Sequence, residues 1–377
     1  MPGSLGHLHF PVEASRGRRY PEPAHPYRDA FRRDRDRIVH ARAFRRLVDK
    51  TQVFSPSLSD HFRNRLTHTI EVSQIARTVA RALGLNEDFT EALALCHDFG
   101  HPPFGHAGEA ELDRQMQRYG ERFNHNLHAL RLVEHFEQRY ARFAGLNLTF
   151  EIREGIVKHS MDIAPGQYPE LDEYLPGLRP PLEAQLIDIA DEIAYNTGDL
   201  DDALSAGLIT REEVAAAVPV YADILDTFET QFPGAPDKVK CLETVRVLID
   251  QFVTSLLVGT AEAAAGVASV DEVRAHPSRL ARMTPQVAET AAQLKRLLHA
   301  RVYNAAQLVE PRAHSTALIA GLFEHLLAHP EAMPEPYASD DSEPRHRVVC
   351  DYIAGMTDGF FFRTVGQLLS TKAPANP

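Results

Sequence analysis

The chain contains no tryptophan and only three cysteines, Cys96, Cys241 and Cys350, which lie far apart with no metal-finger spacing. A zinc-finger type of site is therefore excluded and a reducing, cytoplasmic setting is expected; the missing tryptophan excludes little. There is no excess of positive charge. Lys and Arg number 40 against 52 Asp and Glu, a net charge of -12. No global attraction thus draws the protein to nucleic acid or an anionic membrane, and a polyanion site has to be a local basic patch. Long apolar runs are also missing. Nothing approaches the roughly 18 residues needed to span a bilayer. The opening stretch MPGSLGHLHFPVEASRGRRY has no apolar core, so no signal peptide is expected. What is present is ordinary globular material: 377 residues, 44% hydrophobic and 24% charged, enough for one large domain or two smaller ones.

The patterning is helical almost throughout. Residues 1–27 mix Pro, His and Arg without periodicity and are expected to form an extended arm. From residue 28 helix formers dominate, and Val72, Ile75, Val79 and Leu83 recur at three- and four-residue intervals, the mark of an amphipathic helix closed by Gly84. NEDFTEALALCHDFG reads as a second helix with acids in its first turn and Gly100 as its stop. PPLEAQLIDIADEIAYNTGDLDDAL reads as a third, and helical segments recur beyond residue 210. Only LNLTFEI looks strand-like, and the Pro-rich HPEAMPEPYASDDSEPR is expected to be a surface loop. The fold class is all-α. The expected organisation is an arm over 1–27, a helical core over 28–210 and a C-terminal helical region over 211–377 packed on that core.

Chemistry concentrates in LCHDFGHPPFGHAGEAELD, residues 95–113, with three histidines and a His-Asp doublet. Adjacent imidazole and carboxylate groups share a buried site most readily when a cation compensates the charge, and together they suit Mn, Fe, Co, Zn or Mg. His68 near the start of one helix, His97 and Asp98 at the end of the next, and Asp191 within an apolar helix lie on elements that bundle packing can focus on one point. Each also has an ordinary alternative: a core histidine, a salt-bridging aspartate, a doublet arising by chance.

Six blocks, RDRDRIVHARAFRRLVDKTQVF, RLTHTIEVSQIAR, CHDFGHPPFGHAGE, REGIVKHS, LEAQLIDIADEIAYNTGDLDDAL and CDYIAGMTDGFF, run in order from residue 33 to residue 361. In this text and in the order His, His-Asp, Asp, the chain resembles the HD-domain deoxynucleotide triphosphate triphosphohydrolases, and within them the bacterial dGTPase-like branch. That resemblance implies an HD-domain helical bundle with additional C-terminal helices. It implies that His68, His97, Asp98 and Asp191 hold a divalent metal, and that His106, oriented by Glu109, is the catalytic histidine. It also implies substrate contacts: His101 on the triphosphate, Gln52 and Arg65 on sugar and phosphate, Tyr195 against the sugar, Asp199 near its 3′-hydroxyl, and His125. Asp191, Tyr195 and Asp199 fall within roughly an 80° wedge of an ideal helix, which is compatible with one shared pocket.

The chain departs from relatives at two places. Gly198 stands where many carry histidine, and Glu192 stands where the vertebrate deoxynucleotide triphosphohydrolase has a phosphate-binding lysine, so other cations are expected to clamp the triphosphate. Residues 28–46 hold eight arginines against three aspartates. They form either a solvated helical face with internal ion pairs, or a site for a dNTP effector or single-stranded DNA, both of which relatives bind. Phe31 and Phe44 there are expected in the core. The implied partners are a dNTP substrate and a homo-oligomer, tetramer or hexamer, with no membrane. The expected reaction converts a dNTP, with dGTP the first candidate, to deoxynucleoside and triphosphate. The competing expectations are another HD phosphohydrolase acting on nucleoside monophosphates or signalling nucleotides, and a nucleotide- or DNA-binding regulator without turnover.

Overall fold

The computed structural model describes residues 4–54 and 61–369. The helices, in chain order, are α1 (Ala30–Val39), α2 (Arg42–Arg46), α3 (Arg65–Leu83), α4 (Glu87–Cys96), α5 (Gly105–Gln117), α6 (His125–Arg131), α7 (Phe150–Val157), α8 (Leu182–Ser205), α9 (Arg211–Ala217), α10 (Pro219–Gln231), α11 (Asp237–Ala263), α12 (Val270–Ala275), α13 (Pro285–Leu298), α14 (Ala306–Ala328), α15 (Arg345–Ala354) and α16 (Asp358–Leu368). Short 3₁₀ and π turns join some of them, and among the described residues only isolated β-bridges occur. The all-α expectation holds. The boundaries follow local chemistry. Asn64 caps α3 by accepting the Thr67 N–H, with Thr67 returning the bond, and Gly84 ends that helix in the left-handed region at φ 79°. Asn86 caps α4 through the Phe89 N–H.

Two apolar clusters organise the molecule. The first gathers α1, α3, α4, α8 and α11, with Val72, Val79, Phe89, Leu186 and Leu256 fully buried. The second, smaller cluster joins Leu112 and Met116 of α5 to Ile319, Leu322 and Phe323 of α14, Val349 and Ile353 of α15, and Phe361 of α16. Each such side chain contributes roughly 1.5–3 kcal/mol on leaving water.

The N-terminal segment packs along the core. Leu5, Leu8 and Phe10 are buried, and Phe10 sits 6.0 Å from Phe31 and 5.7 Å from Phe89, ring centre to ring centre. Phe31 is core as expected, and Phe44 is half-buried against the same cluster. LNLTFEI is not a strand: Leu146 and Leu148 are buried coil, and α7 starts at Phe150. The backbone amide of Thr149 donates to the Asp34 carboxylate, which satisfies locally the bond a sheet would have made. Five of the eight arginines of 28–46 are ion-paired: Arg28 to Asp36, Arg32 to Asp88, Arg35 to Glu91, and Arg33 and Arg37 to Glu22. No described helix is long and apolar enough to cross a membrane.

Candidate active site

Three helices of the first cluster converge. His68 lies in the first turn of α3, the turn that the Asn64 cap fixes. His97 and Asp98 follow the last residue of α4, and Asp191 lies midway along α8. One ligand atom from each of His68, His97 and Asp98 falls within 4.8 Å of the others. Asp191 Oδ1 is 2.8 Å from His68 Nε2 and 3.8 Å from His97 Nε2, and Asp98 Oδ1 is 3.6 Å from His97 Nε2. The four residues named from the sequence are thus assembled in one place.

The charges are prepared for a cation. Burial alone would raise the Asp98 carboxyl, but His101, Arg65 and His97 beside it hold it well below the usual range. Burial opposes ionisation of Asp191 too, yet His159 and His68 keep it ionised. Burial lowers His97, which stays neutral, and its Nδ1 faces the Ala94 carbonyl oxygen at 2.7 Å. That contact assigns the proton to Nδ1 and leaves the Nε2 lone pair pointing inward. Nε2 is buried and makes no hydrogen bond. An acceptor atom held in this way beside two carboxylates is a ligand position, so the donor set fits a divalent cation.

Arg65 is buried and braces Asp98 with a 2.8 Å bond from its Nη1 to Oδ2. The guanidinium also lies against Gly105, where a side chain would collide with it: an added Cβ would sit 2.6 Å from Arg65 Nη2. Gly105 has φ 56°, so that position favours glycine on both counts. The same turn begins α5. His106 and Glu109 therefore share the first turns of one helix, with His106 Nδ1 3.2 Å from Glu109 Oε2. The His106 side chain is 81% exposed, and Glu109 is 16% exposed. Glu109 is held from the other side by the His125 backbone N–H at 3.0 Å and His125 Nδ1 at 2.7 Å. Burial would raise Glu109, but His106 and His125 keep it ionised. His125 stacks on His101 at 4.0 Å, and Gly100 lets α6 approach, since a Cβ there would meet the His125 carbonyl oxygen at 1.8 Å. His101 lies 3.0 Å from Asp98 Oδ1 without hydrogen-bond alignment, leaving both ring nitrogens without a hydrogen bond. Burial and Arg65 keep its ring neutral.

The remaining predicted residues line two further edges. Gln52 has a buried Oε1 with no hydrogen-bond partner, and its backbone oxygen borders Gly105. Tyr195 is half-buried, with Lys295 Nζ 5.5 Å from its ring centre. Asp199 is buried and accepts a 2.5 Å bond from Tyr303 Oη; burial pushes its carboxyl up to about 7. Gly198 is explained by its neighbour, because a Cβ would meet Arg63 Cδ at 3.0 Å. Three residues missed in the sequence belong to the assembly. Tyr303 and Lys295 come from around a hundred residues downstream with no motif of their own. His159 stands in a block already noted but without a role: its Nε2 lies 3.7 Å from Asp191 Oδ2 and its Nδ1 2.9 Å from Asp188 Oδ1. Burial lowers that imidazole, but Asp188 and Asp191 outweigh it and push it up to about 10. Lys158 beside it is structural, its ammonium bound to Glu154 and to two carbonyl oxygens.

Comparison with known proteins decides the family. The HD domain model matches residues 65–196, a span that includes all four convergent residues, and the phosphohydrolase-associated domain model matches residues 281–367. A deoxyguanosinetriphosphate triphosphohydrolase-like protein of Geobacter sulfurreducens is 44% identical over 92% of this chain and 90% of its own length. Relatives of the same name from Ralstonia nicotianae and Azoarcus sp. are 45% and 46% identical, over 96% and 92% of this chain and 93% and 91% of their own lengths. The chain belongs to this family. Membership covers the C-terminal helices as well as the HD core, since Tyr303 and α16 fall within the second matched segment.

Proposed function

We propose that this protein is a metal-dependent deoxynucleoside triphosphate triphosphohydrolase that converts a dNTP and water to a deoxynucleoside and triphosphate. The observation that carries the proposal is the buried, unpartnered Nε2 of His97 set between the Asp98 and Asp191 carboxylates, with the His106–Glu109 pair reached through His101, which lies 3.0 Å from Asp98 Oδ1 and 5.1 Å from His106, ring centre to ring centre. His68, His97, Asp98 and Asp191 would hold the metal, which is Mn, Mg, Co, Fe or Zn. When bound, it would ease formation of a nucleophile from water and offset charge building on the phosphoryl oxygens.

The chain's own residues supply the rest. Attack at the α-phosphorus forms a new P–O bond and breaks the bond to the 5′ oxygen, so the nucleoside leaves and the triphosphate stays whole. An alkoxide is a poor leaving group, and proton transfer at this point is the work of His106. Glu109 fixes the proton on its Nδ1 and sustains imidazolium charge, leaving Nε2 exposed towards the substrate. His101, Arg65 and His125 face the phosphates; the planar fork of Arg65 suits them, and its buried Nε is unpartnered. Gln52 and Asp199 take the sugar hydroxyl, and Tyr195 closes the space beside the 2′ carbon against ribonucleotides. Lys295, 5.5 Å from the Tyr195 ring centre, and Arg312, whose Nη1 donates to the Tyr303 carbonyl oxygen, would supply positive charge in place of the lysine absent at Glu192.

An effector dNTP or single-stranded DNA and assembly as a tetramer or hexamer belong to the same proposal, in a cytoplasmic setting. In favour of an anionic effector is a cavity of about 700 Å³ formed by the N-terminal segment and the start of α1, lined by Arg16, Arg18, Arg28 and Arg33 together with Glu22 and Asp29. The test is product analysis with purified protein and Mn or Mg, each dNTP singly, with dGTP first, and then all four together. Triphosphate with free deoxynucleoside supports the proposal, and activity only in the mixture supports the effector. Phosphate or pyrophosphate alone, or turnover of monophosphates, would overturn it.

A further inference from the structure

One block remains without a role: CDYIAGMTDGFF, residues 350–361, which forms the end of α15 and the start of α16. Its polar groups reach into the segments that carry the site. Asp358 does not cap its own helix; Thr357 does that, accepting the Phe360 N–H. Instead its two carboxylate oxygens divide between two loops. Oδ2 accepts the backbone N–H of Thr51 at 2.9 Å, and Oδ1 accepts the backbone N–H of Phe104 at 3.1 Å. Gln52 follows the first of these amides by one residue, and His106 follows the second by two.

The surroundings make the bridge a fixed one. Phe104 has φ 64°, which a non-glycine residue adopts only when its neighbours enforce it, and its side chain does not cap α5. Its ring is held 5.2 Å from both Phe361 and Phe362 of α16. Behind it the buried Lys50 ammonium donates to the carbonyl oxygens of His101 and Ala354, and Arg46 Nη1 donates to the Gly355 carbonyl oxygen at 2.9 Å. Asp351, at the start of the block, binds His128 and Arg131 of α6, the helix whose first residue is His125. The segment from 351 to 358 therefore touches residues 46–51, Phe104 and α6, the segments that lead to Gln52, His106 and His125.

We infer that Asp358 is a positioning residue: by holding the Thr51 and Phe104 amides on one carboxylate, it sets the distance between Gln52 and His106, so that α16 fixes the geometry of the reaction. This rests on the hydrolase function proposed above. The carboxylate is needed as a double acceptor, because an amide side chain would turn an N–H donor towards one of two N–H groups. Misplacement of His106 by even about 1 Å is expected to lower the rate by up to about 10²-fold.

The test uses the full-length protein with Mn and compares Asp358→Ala and Asp358→Asn. Both are expected to lose about 10- to 100-fold in kcat with unchanged metal affinity. Both should also show faster amide hydrogen exchange in the peptides containing Thr51 and Phe104, and unchanged exchange in α3 and α8. In a His106→Ala background, removal of Asp358 should cost much less than in the native protein, since the two act as a unit. A normal rate in Asp358→Asn, an equal loss in both backgrounds, or faster exchange throughout the chain would each overturn the inference. Failure of the native protein to release triphosphate from any dNTP would instead sink the proposed function, and the exchange pattern would still show whether the bridge exists.

Discussion

The two halves of the site rest on different cores. His68, His97, Asp98 and Asp191 stand on α3, the end of α4 and α8, whose apolar faces fill the larger cluster. His106 and Glu109 stand on α5, whose Leu112 and Met116 belong to the smaller cluster with α14, α15 and α16. In the proposed metal half His68, His97 and Asp98 are buried and Asp191 is partly so, and each is held by at least one neighbour. The proton-transfer half ends in an exposed His106 held by a single carboxylate. The contrast suits the division of labour. A metal pocket needs fixed distances and ionised ligands, whereas a group that meets the substrate has to be reachable. Reaction geometry then depends on how the two cores are joined, which is where the Asp358 bridge lies.

Four changes would break or sharpen this contrast, from the largest effect to the smallest. Asp191→Ala should abolish metal binding, measured by calorimetric titration, and lower turnover by at least about 10³-fold, since Lewis-acid stabilisation supplies several kcal/mol. It also removes the hydrogen-bond partner of His68 Nε2. His106→Ala should keep the metal and lose about 10²- to 10⁴-fold in rate, the usual share of a positioned acid or base. A full rate in that variant would show that the pair is misassigned.

The third change is a matched pair of core truncations. Leu93→Ala beneath His97 and Leu322→Ala beneath α5 should each cost about 2–5 kcal/mol in denaturant unfolding. Only the first should weaken metal affinity, while the second should lower kcat at constant affinity. Equal effects would mean that the two cores do not act separately.

The smallest effect concerns Asp199, whose carboxyl is raised to about 7 by burial. A folded value above the unfolded one means that the folded state binds the extra proton. This group's contribution to stability is therefore full below the unfolded value of about 4 and is lost as pH rises towards 7. Asp199→Asn should accordingly raise the melting temperature at pH 8 relative to the native protein, with little difference at pH 4. The loss of a charged partner for the sugar hydroxyl would appear separately, as a higher KM.

Much of this was legible in the sequence. The helical periodicity of α3 and α4 and the stops at Gly84 and Gly100 follow from local rules, and the four convergent residues sit in recognisable text. The misread segment, LNLTFEI, alternates like a strand, but Asp34, more than a hundred residues away, takes the Thr149 amide and both faces of the segment are buried. The basic stretch leaves open, in the sequence, an ion-paired face or a polyanion site, because most of the acids that pair with it, Glu22, Asp88 and Glu91, lie outside it and are brought to it only by the fold. Tyr303 and Lys295 carry no local signal at all, and Asp358 stands in a block recognisable in the sequence that says nothing of its contacts. Only the tertiary arrangement reveals their contacts, and of these the Asp358–Thr51 bond crosses the seam between the clusters.

The most direct measurement is hydrolysis of dGTP in ¹⁸O-enriched water with Mn, followed by mass analysis of both products. Attack at the α-phosphorus predicts one labelled oxygen in the released triphosphate and none in the deoxyguanosine. Label in the deoxyguanosine, or release of pyrophosphate and labelled monophosphate, would contradict the account.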